Sequence, residues 1–192
     1  PADLHVIGKD IVRFHTIYWP IILMALGEPL PKKVLGHPWL LMNNDKMSKS
    51  KGNMLYGDDL VRMFGLDAIR YYLLSEMGYQ NDGNISYDAI ISRTNIDLAN
   101  IYGNLVSRTA SMIKQYFGGI IPAPSANEEV DTALIETVRA EAKAAYDLLD
   151  KYYLSDAATH IIALLKACNK YIDDTTPWML AKDESKRERL QN

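Results

Sequence analysis

Three lysines fall within six residues in Lys46-Met47-Ser48-Lys49-Ser50-Lys51, and Gly52-Asn53 closes the run. A cationic finger of this density suits charge stabilisation of a polyphosphate in a transition state, with Ser48, Ser50 and backbone N–H groups as further donors. Upstream, Gly8-Lys9-Asp10 follows the apolar residues Leu4, Val6 and Ile7. Ile11 and His15, four residues apart, then share one helix face. A third set is suited to RNA. Asn104 and Arg108 are also spaced by four, and Trp178 follows Pro177 at a helix break. Asparagine can pair with a base edge, and arginine can pair, stack or hold a phosphate. Stacking an unpaired base on an exposed ring is worth about 1–3 kcal/mol, and splayed bases are how proteins usually read RNA sequence. Each set also has a plain structural reading. The lysines could be a solvated loop, Asp10 a helix N-cap, His15 a core histidine, Asn104 with Arg108 a surface pair and Trp178 a plug in a bundle.

The elements that would position these residues change character along the chain. A short strand through Leu4, Val6 and Ile7 turns at Gly8-Lys9-Asp10. A helix is expected over 11–26, with Asp10 as N-cap and Gly27 as its stop. Pro29 and Pro31 force a loop, and a second buried strand is expected over 34–42, which completes a βαβ unit. The lysine run then lies beyond the carboxyl end of a strand, where open α/β sheets bind ligands. The stretch 43–53 reads as a mobile loop. Asp58 and Asp67 are expected to cap short helices ending near Gly65 and Glu76, with a loop over 78–84.

From Ser86 onward the pattern is helical. Ile91, Leu98, Tyr102, Leu105, Met112 and Tyr116 mark one long helix, broken at Gly118-Gly119. A second carries Leu134, Val138, Ala142, Ala145 and Leu149. A third, capped by Ser155 or Asp156, carries Ile161, Leu164, Leu165, Cys168 and Ile172. Pro177 ends or kinks it, and a charged helix follows near Asp183. Short links make this an antiparallel bundle.

The 192 residues are 48% apolar and 23% charged, which excludes a disordered or fibrous chain. A lone cysteine excludes an internal disulfide, and Cys168 sits in an apolar stripe as packing. The longest apolar stretch, 18–26, is too short to span a bilayer, and no leader is evident; a soluble, cytoplasmic protein is expected, without membrane contact. Net charge is -3, but residues 1–56 hold seven Lys/Arg against four Asp/Glu, a basic front suited to anions. His5, His37 and His160 have no clustered partners, so no metal site is expected. Trp19 and Trp39 read as core.

KMSKS (46–50) resembles the signature loop of the class I aminoacyl-tRNA synthetases. HVIGKDIVRFHTIYWP (5–20), GNLVSR (103–108) and NKYIDDTTPW (169–178) resemble the methionyl-tRNA synthetases within that class. The likeness covers essentially the whole chain. It implies an α/β plus all-α fold. Residues 1–56 would be the C-terminal end of a Rossmann-type catalytic domain with the KMSKS loop. Stem-contact helices would occupy 57–85, and an antiparallel helical-bundle anticodon-binding domain 86–192.

The resemblance also implies roles. Lys49 would contact ATP phosphates with support from Lys46, the two being the catalytic residues. Gly8, Lys9, Asp10, Met47, Ser48 and Ser50 would join them around ATP and the adenylate. Ile11 and His15 would line the methionine pocket, and Asn104, Arg108 and Trp178 would read the anticodon. ATP with Mg2+ as substrate, L-methionine and tRNA(Met) are the implied partners, and the parent could form a homodimer through a domain outside this sequence. Two departures stand out. The usual histidine-glycine order before the loop is reversed in Gly36-His37-Pro38-Trp39, and the half bearing the HIGH motif is not in the sequence. The abrupt opening inside a strand suggests a piece of a longer chain, expected to retain tRNA binding but not catalysis. The competing readings are a free-standing, non-catalytic RNA-binding module and a helical scaffold for protein partners.

Overall fold

Val6 and Ile7 place one side chain outward and one inward, and the strand they form, β1 (His5–Gly8), pairs in parallel with β2 (Val34–His37). The register sets Gly8 beside His37. The computed structural model describes all residues except 77, 80 and 126. They form two compact units, one of Pro1–Gly65 with Glu76–Tyr87, the other of Leu66–Ser75 with Asp88–Asn192. The stretch 57–85 is therefore divided between them.

In the first unit the chain leaves β1 through a 3-10 turn, Lys9–Ile11, and a π-wound turn, Phe14–Tyr18, before α1 (Trp19–Leu26). The expected N-cap is corrected here: Gly8 occupies the cap position, and Asp10 lies inside the turn without capping it. Gly27 ends α1 as anticipated. At φ 72° it lets the Gly27 and Glu28 amides donate back to the Met24 and Leu23 carbonyls, closing a Schellman motif. The π-wound turn and α1 keep much apolar surface open, including Phe14 and Ile17 of the turn and Ile21, Met24, Leu26 and Trp19 of the helix, so Trp19 is not core.

The single strand expected over 34–42 is two. Pro38 has no N–H to continue a ladder, and the chain changes sheets there. β3 (Leu40–Met42) pairs antiparallel with β4 (Asp45–Lys46) and parallel with β5 (Gly83–Ile85), which begins inside the loop expected over 78–84. The expected βαβ crossover survives between β1 and β2. Gly36 is needed there, because a Cβ would stand 2.7 Å from Val12 Cγ2. Gly36→Ala is accordingly expected to cost about 1–3 kcal/mol through overpacking. Faster hydrogen exchange at the Val6 and Ile7 amides would register the loss; unchanged protection would refute it. Two short helices follow, α2 (Gly57–Phe64) and α3 (Leu66–Glu76). Asp58 and Asp67 lie in their first turns, where an acidic side chain favours the helix dipole, and Asp58 does not cap α2.

The second unit is helical. Residues from α4 (Tyr87–Arg93) to α5 (Asn104–Phe117) run as one rod, but the ten residues Thr94–Gly103 between them are π-wound. The extra width per turn shifts the apolar stripe out of phase. Ile91 and Tyr102 end up exposed, while Asp97 is buried and accepts from the Tyr71 hydroxyl (2.7 Å) and Arg93 (3.2 Å). Helices α6 (Glu129–Leu149) and α7 (Leu154–Thr175) pack along their length as an antiparallel hairpin. Tyr153 holds the N-cap position of α7 in place of Ser155 or Asp156, and Ile162 is buried where Ile161 was expected.

Thr176 breaks α7 with φ 44°, and α8 (Pro177–Leu180) and α9 (Arg187–Leu190) finish the chain. Asp131 knits the ends together. It accepts from the Glu128 N–H (2.8 Å), the Tyr171 hydroxyl (2.5 Å) and Arg189 (2.9 Å). A cavity of about 660 Å3 lies among α5, α6, α7 and the C-terminal turns, lined by Ile113, Leu134, Cys168 and Ile172. Burial there pushes the Cys168 thiol up, as befits a packing residue. No helix among the described residues is long and apolar enough to cross a membrane.

Candidate functional site

The Gly8-Lys9-Asp10 turn is tight because Asp10 folds back over it. A Cβ on Gly8 would meet Asp10 Oδ1 at 2.5 Å, although the Gly8 backbone is ordinary extended chain. Asp10 Oδ1 in turn accepts from Trp39 Nε1 at 3.4 Å. Lys9 forms an ion pair with Asp82, and its Nζ stands 4.5 Å from the centroid of the Trp39 ring. The lysine hydrogen bond comes first among the causes that hold the Asp82 carboxyl below the usual carboxylate range. Ile11 and His15 are brought together: His15 Nδ1 donates to the Ile11 carbonyl at 3.0 Å, which fixes the ring's tautomer. The His15 ring also approaches that of His5, with centroids 5.9 Å apart.

The lysine loop, expected as an irregular stretch over 43–53, takes up defined turns. Asn43 and Asn44 take positive φ, 49° and 63°, giving the two-residue hairpin turn between β3 and β4 that asparagine tolerates well. Asn53 ties the loop's base: its Oδ1 accepts from the Ser48 N–H (2.9 Å) and its Nδ2 donates to the Lys46 carbonyl (3.2 Å). Ser48 Oγ accepts from the Lys51 N–H (3.3 Å), capping a 3-10 turn over Lys49–Lys51, and shares a hydrogen bond with Ser50 Oγ (3.2 Å). Met47 is half-buried, and Gly52 closes the turn at φ 66°.

The three lysines then differ. Lys46 Nζ lies 4.3 Å from the Trp39 centroid, and Lys51 is paired with Asp45 at 2.7 Å, which lowers the Asp45 pKa. Lys49 is exposed, and among the described residues its ammonium has no carboxylate partner. An uncommitted cation at the tip of a pinned loop is what an incoming anion needs.

In the helical unit, Asn104 is exposed at the first residue of α5, where the π segment ends. Arg108, one turn on, pairs with Asp173 of α7 at 2.7 Å. Asn169, one turn earlier on α7, donates to the Ile101 carbonyl at 3.0 Å. Trp178 lies on α8, five residues beyond Asp173, with 40% of its surface open. It is therefore available to stack and does not plug the bundle.

Sequence reasoning missed several members. Trp39, taken for core, is half-buried and gathers Lys9, Lys46 and Asp10. An aromatic residue seven positions before the lysine run was the available signal. Asp82 is 73 residues from Lys9 and gave none. The histidines are also less isolated than expected, since His160 Nδ1 donates to Glu141 at 2.6 Å and His5 faces His15. Among the described residues, no group of three or more His, Cys, Asp or Glu side chains is gathered as a metal cradle.

Comparison with known proteins bears on both units. Residues 2–110 match the family described as tRNA synthetases class I (M). The chain is 54% identical over 190 residues to a methionine--tRNA ligase of Caldanaerobacter subterraneus subsp. tengcongensis and 53% identical to one of Clostridium perfringens. In each case 99% of this chain and 30% of the relative are covered, so it spans about a third of their length. Its backbone superposes on Mycobacterium tuberculosis methionyl-tRNA synthetase in complex with methionyl-adenylate with a TM-score of 0.94. That match has 39% identity and covers all of this chain and 38% of that one. A GKD turn and a KMSKS loop meeting on one tryptophan, within a stretch that the family's own pattern matches, settle the affiliation: the chain belongs to the class I tRNA synthetases (M).

Proposed function

We propose that this chain supplies the KMSKS-bearing end of the catalytic domain and the anticodon-reading helices of a methionine–tRNA ligase, acting in the cytoplasm. The ligase joins the methionine carboxylate to the α-phosphorus of ATP, releasing pyrophosphate, and then passes methionine to the 3′ end of tRNA(Met). Mg2+ arrives with the nucleotide. The observation that carries this reading is the uncommitted Lys49 on a loop pinned at its base by Asn53, beside the turn that holds Lys9 and Asp10.

The chemistry follows from charge. As pyrophosphate separates, negative charge grows on its bridging oxygen, and Lys49 is placed to meet it with Lys46 in support. Lys9 adds a second fixed cation, and Asp10 supplies the carboxylate that accepts from a ribose hydroxyl. Gly8 leaves room for that carboxylate to fold over the turn. Met47, Ser48 and Ser50 shape the loop around the nucleotide. Ile11 and His15 line the methionine pocket, His15 with its Nδ1 proton committed to the Ile11 carbonyl. Asn104, Arg108 and Trp178 read the anticodon. The finer layout we propose is a Rossmann-type end over 1–56, stem-contact helices over 57–85 and an antiparallel anticodon-binding bundle over 86–192.

The test is ATP–pyrophosphate exchange by the complete protein that contains this chain, with each amino acid offered separately. Exchange that depends on methionine supports the ligase. RNA binding without exchange under any amino acid would favour the free-standing RNA-binding module instead.

A further inference from the structure

Trp39 stands where β2 gives way to β3, and four charged groups from three separate stretches of the first unit meet on it. Its backbone N–H donates to Asp82 Oδ1 at 3.0 Å, the same oxygen that pairs with the Lys9 ammonium. Its ring receives Lys9 Nζ at 4.5 Å and Lys46 Nζ at 4.3 Å from the centroid, and its Nε1 donates to Asp10. Two ammonium groups drawn to one ring repel each other. The negative face of the indole and the Asp82 carboxylate offset that repulsion. Asp82 is ionised at neutral pH as carboxylates ordinarily are, and the Lys9 hydrogen bond lowers its pKa further.

We infer that Trp39 and Asp82 are positioning residues for the activation step: they fix Lys9 of the turn and Lys46 of the loop before the nucleotide arrives. This rests on the ligase reading and adds to it a division of labour. Lys9 and Lys46 are preset on a shared indole, whereas Lys49 is left free to move onto the phosphates. Neither Trp39 nor Asp82 has to touch the substrate. Misplacing a catalytic donor by about 1 Å can cost about a hundredfold in rate, so the groups that fix two donors should carry a measurable part of activation. Trp39 has no such bearing on the later transfer of methionine to tRNA, in which pyrophosphate has already left and AMP is the leaving group.

The experiment separates the two half-reactions in the complete ligase. Methionine-dependent ATP–pyrophosphate exchange is measured alongside transfer from isolated, preformed methionyl-adenylate complex to tRNA, for wild type, Trp39→Phe, Trp39→Leu and Asp82→Asn. Trp39→Phe retains a ring and should keep exchange within about threefold of wild type. Trp39→Leu and Asp82→Asn should each lower kcat/KM for ATP by about tenfold, part of the roughly hundredfold that misplacing a donor can cost, and leave transfer unchanged. Should Trp39→Leu not fold, Asp82→Asn decides, because it keeps the oxygen that accepts from the Trp39 N–H. Unchanged exchange in both variants, or equal losses in exchange and transfer, would overturn the proposal. If wild type itself shows no methionine-dependent exchange, it is the ligase reading that fails, and that is known before any variant is compared.

Discussion

Lys49→Ala in the complete ligase is expected to slow methionine-dependent ATP–pyrophosphate exchange about a hundredfold, the scale of losing one preorganised donor aimed at developing charge. The loss should fall on kcat more than on the KM for ATP, because charge on the departing pyrophosphate grows only towards the transition state. The structure makes Lys49 the lysine of the run with most to lose. Lys51 is paired with Asp45 and Lys46 rests on Trp39, while among the described residues Lys49 has no carboxylate partner. Lys51→Ala therefore serves as the contrast. It removes a similar charge three-dimensionally close by, from an exposed ion pair, and should change exchange by no more than a few-fold. An unaltered exchange rate in Lys49→Ala, or an equal loss in Lys51→Ala, would show that the loop does not work through this particular cation.

The second large effect concerns stability. Asp131 is buried and ties the start of α6 to α7 and α9 through Glu128, Tyr171, Asn192 and Arg189. Burial pushes its carboxyl up, but hydrogen bonds from Tyr171, the Glu128 N–H, Asn192 and Arg189 outweigh this and hold it at about 2. Removing one partner of a buried pair leaves the other charge uncompensated and costs about 3–5 kcal/mol. Asp131→Asn should lower the unfolding free energy of the chain in urea by that amount, without loss of helix content in the native state.

The depressed pKa fixes the sign of the pH dependence. The ionised carboxylate contributes roughly 2 kcal/mol that is fully present above about pH 4 and is lost as pH falls through about 2. The gap between wild type and Asp131→Asn should therefore narrow on acidification below pH 4. A gap that stays constant from pH 6 to pH 2 would mean that the charge is not what stabilises this corner.

What the sequence disclosed was chiefly local. The strand at Val6-Ile7, the helix stop at Gly27 and the break at Pro177 follow from residues within a turn of one another, and they stand where expected. The stretch 34–42 was misjudged because strand identity depends on partners. β3 belongs to β5, more than forty residues on, and Pro38 marks the change of sheet only once β5 is known. The long helix failed in phase rather than in extent. A spacing argument assumes one pitch throughout, and the π-wound Thr94–Gly103 segment turns Ile91 and Tyr102 outward while Asp97 finds a buried hydroxyl partner in Tyr71. The candidate site divides in the same way. Its charged motifs were visible as residue types in a row. Trp39 and Asp82, which bring the motifs together, and Asp131, which holds the helical unit's ends, act across separations that no local pattern records.

The measurement that bears most directly on the account is binding of this chain to an RNA hairpin with a CAU loop, against hairpins with scrambled loops, at one fixed salt concentration. Trp178→Ala is carried beside the wild type. A CAU preference that falls roughly tenfold or more in the variant, as loss of one base stack would produce, is the predicted result and makes the helical unit a reader of the methionine anticodon. Equal, salt-sensitive binding to every hairpin by both proteins would contradict it, and would leave Asn104, Arg108 and Trp178 as surface residues without a role in choosing the tRNA.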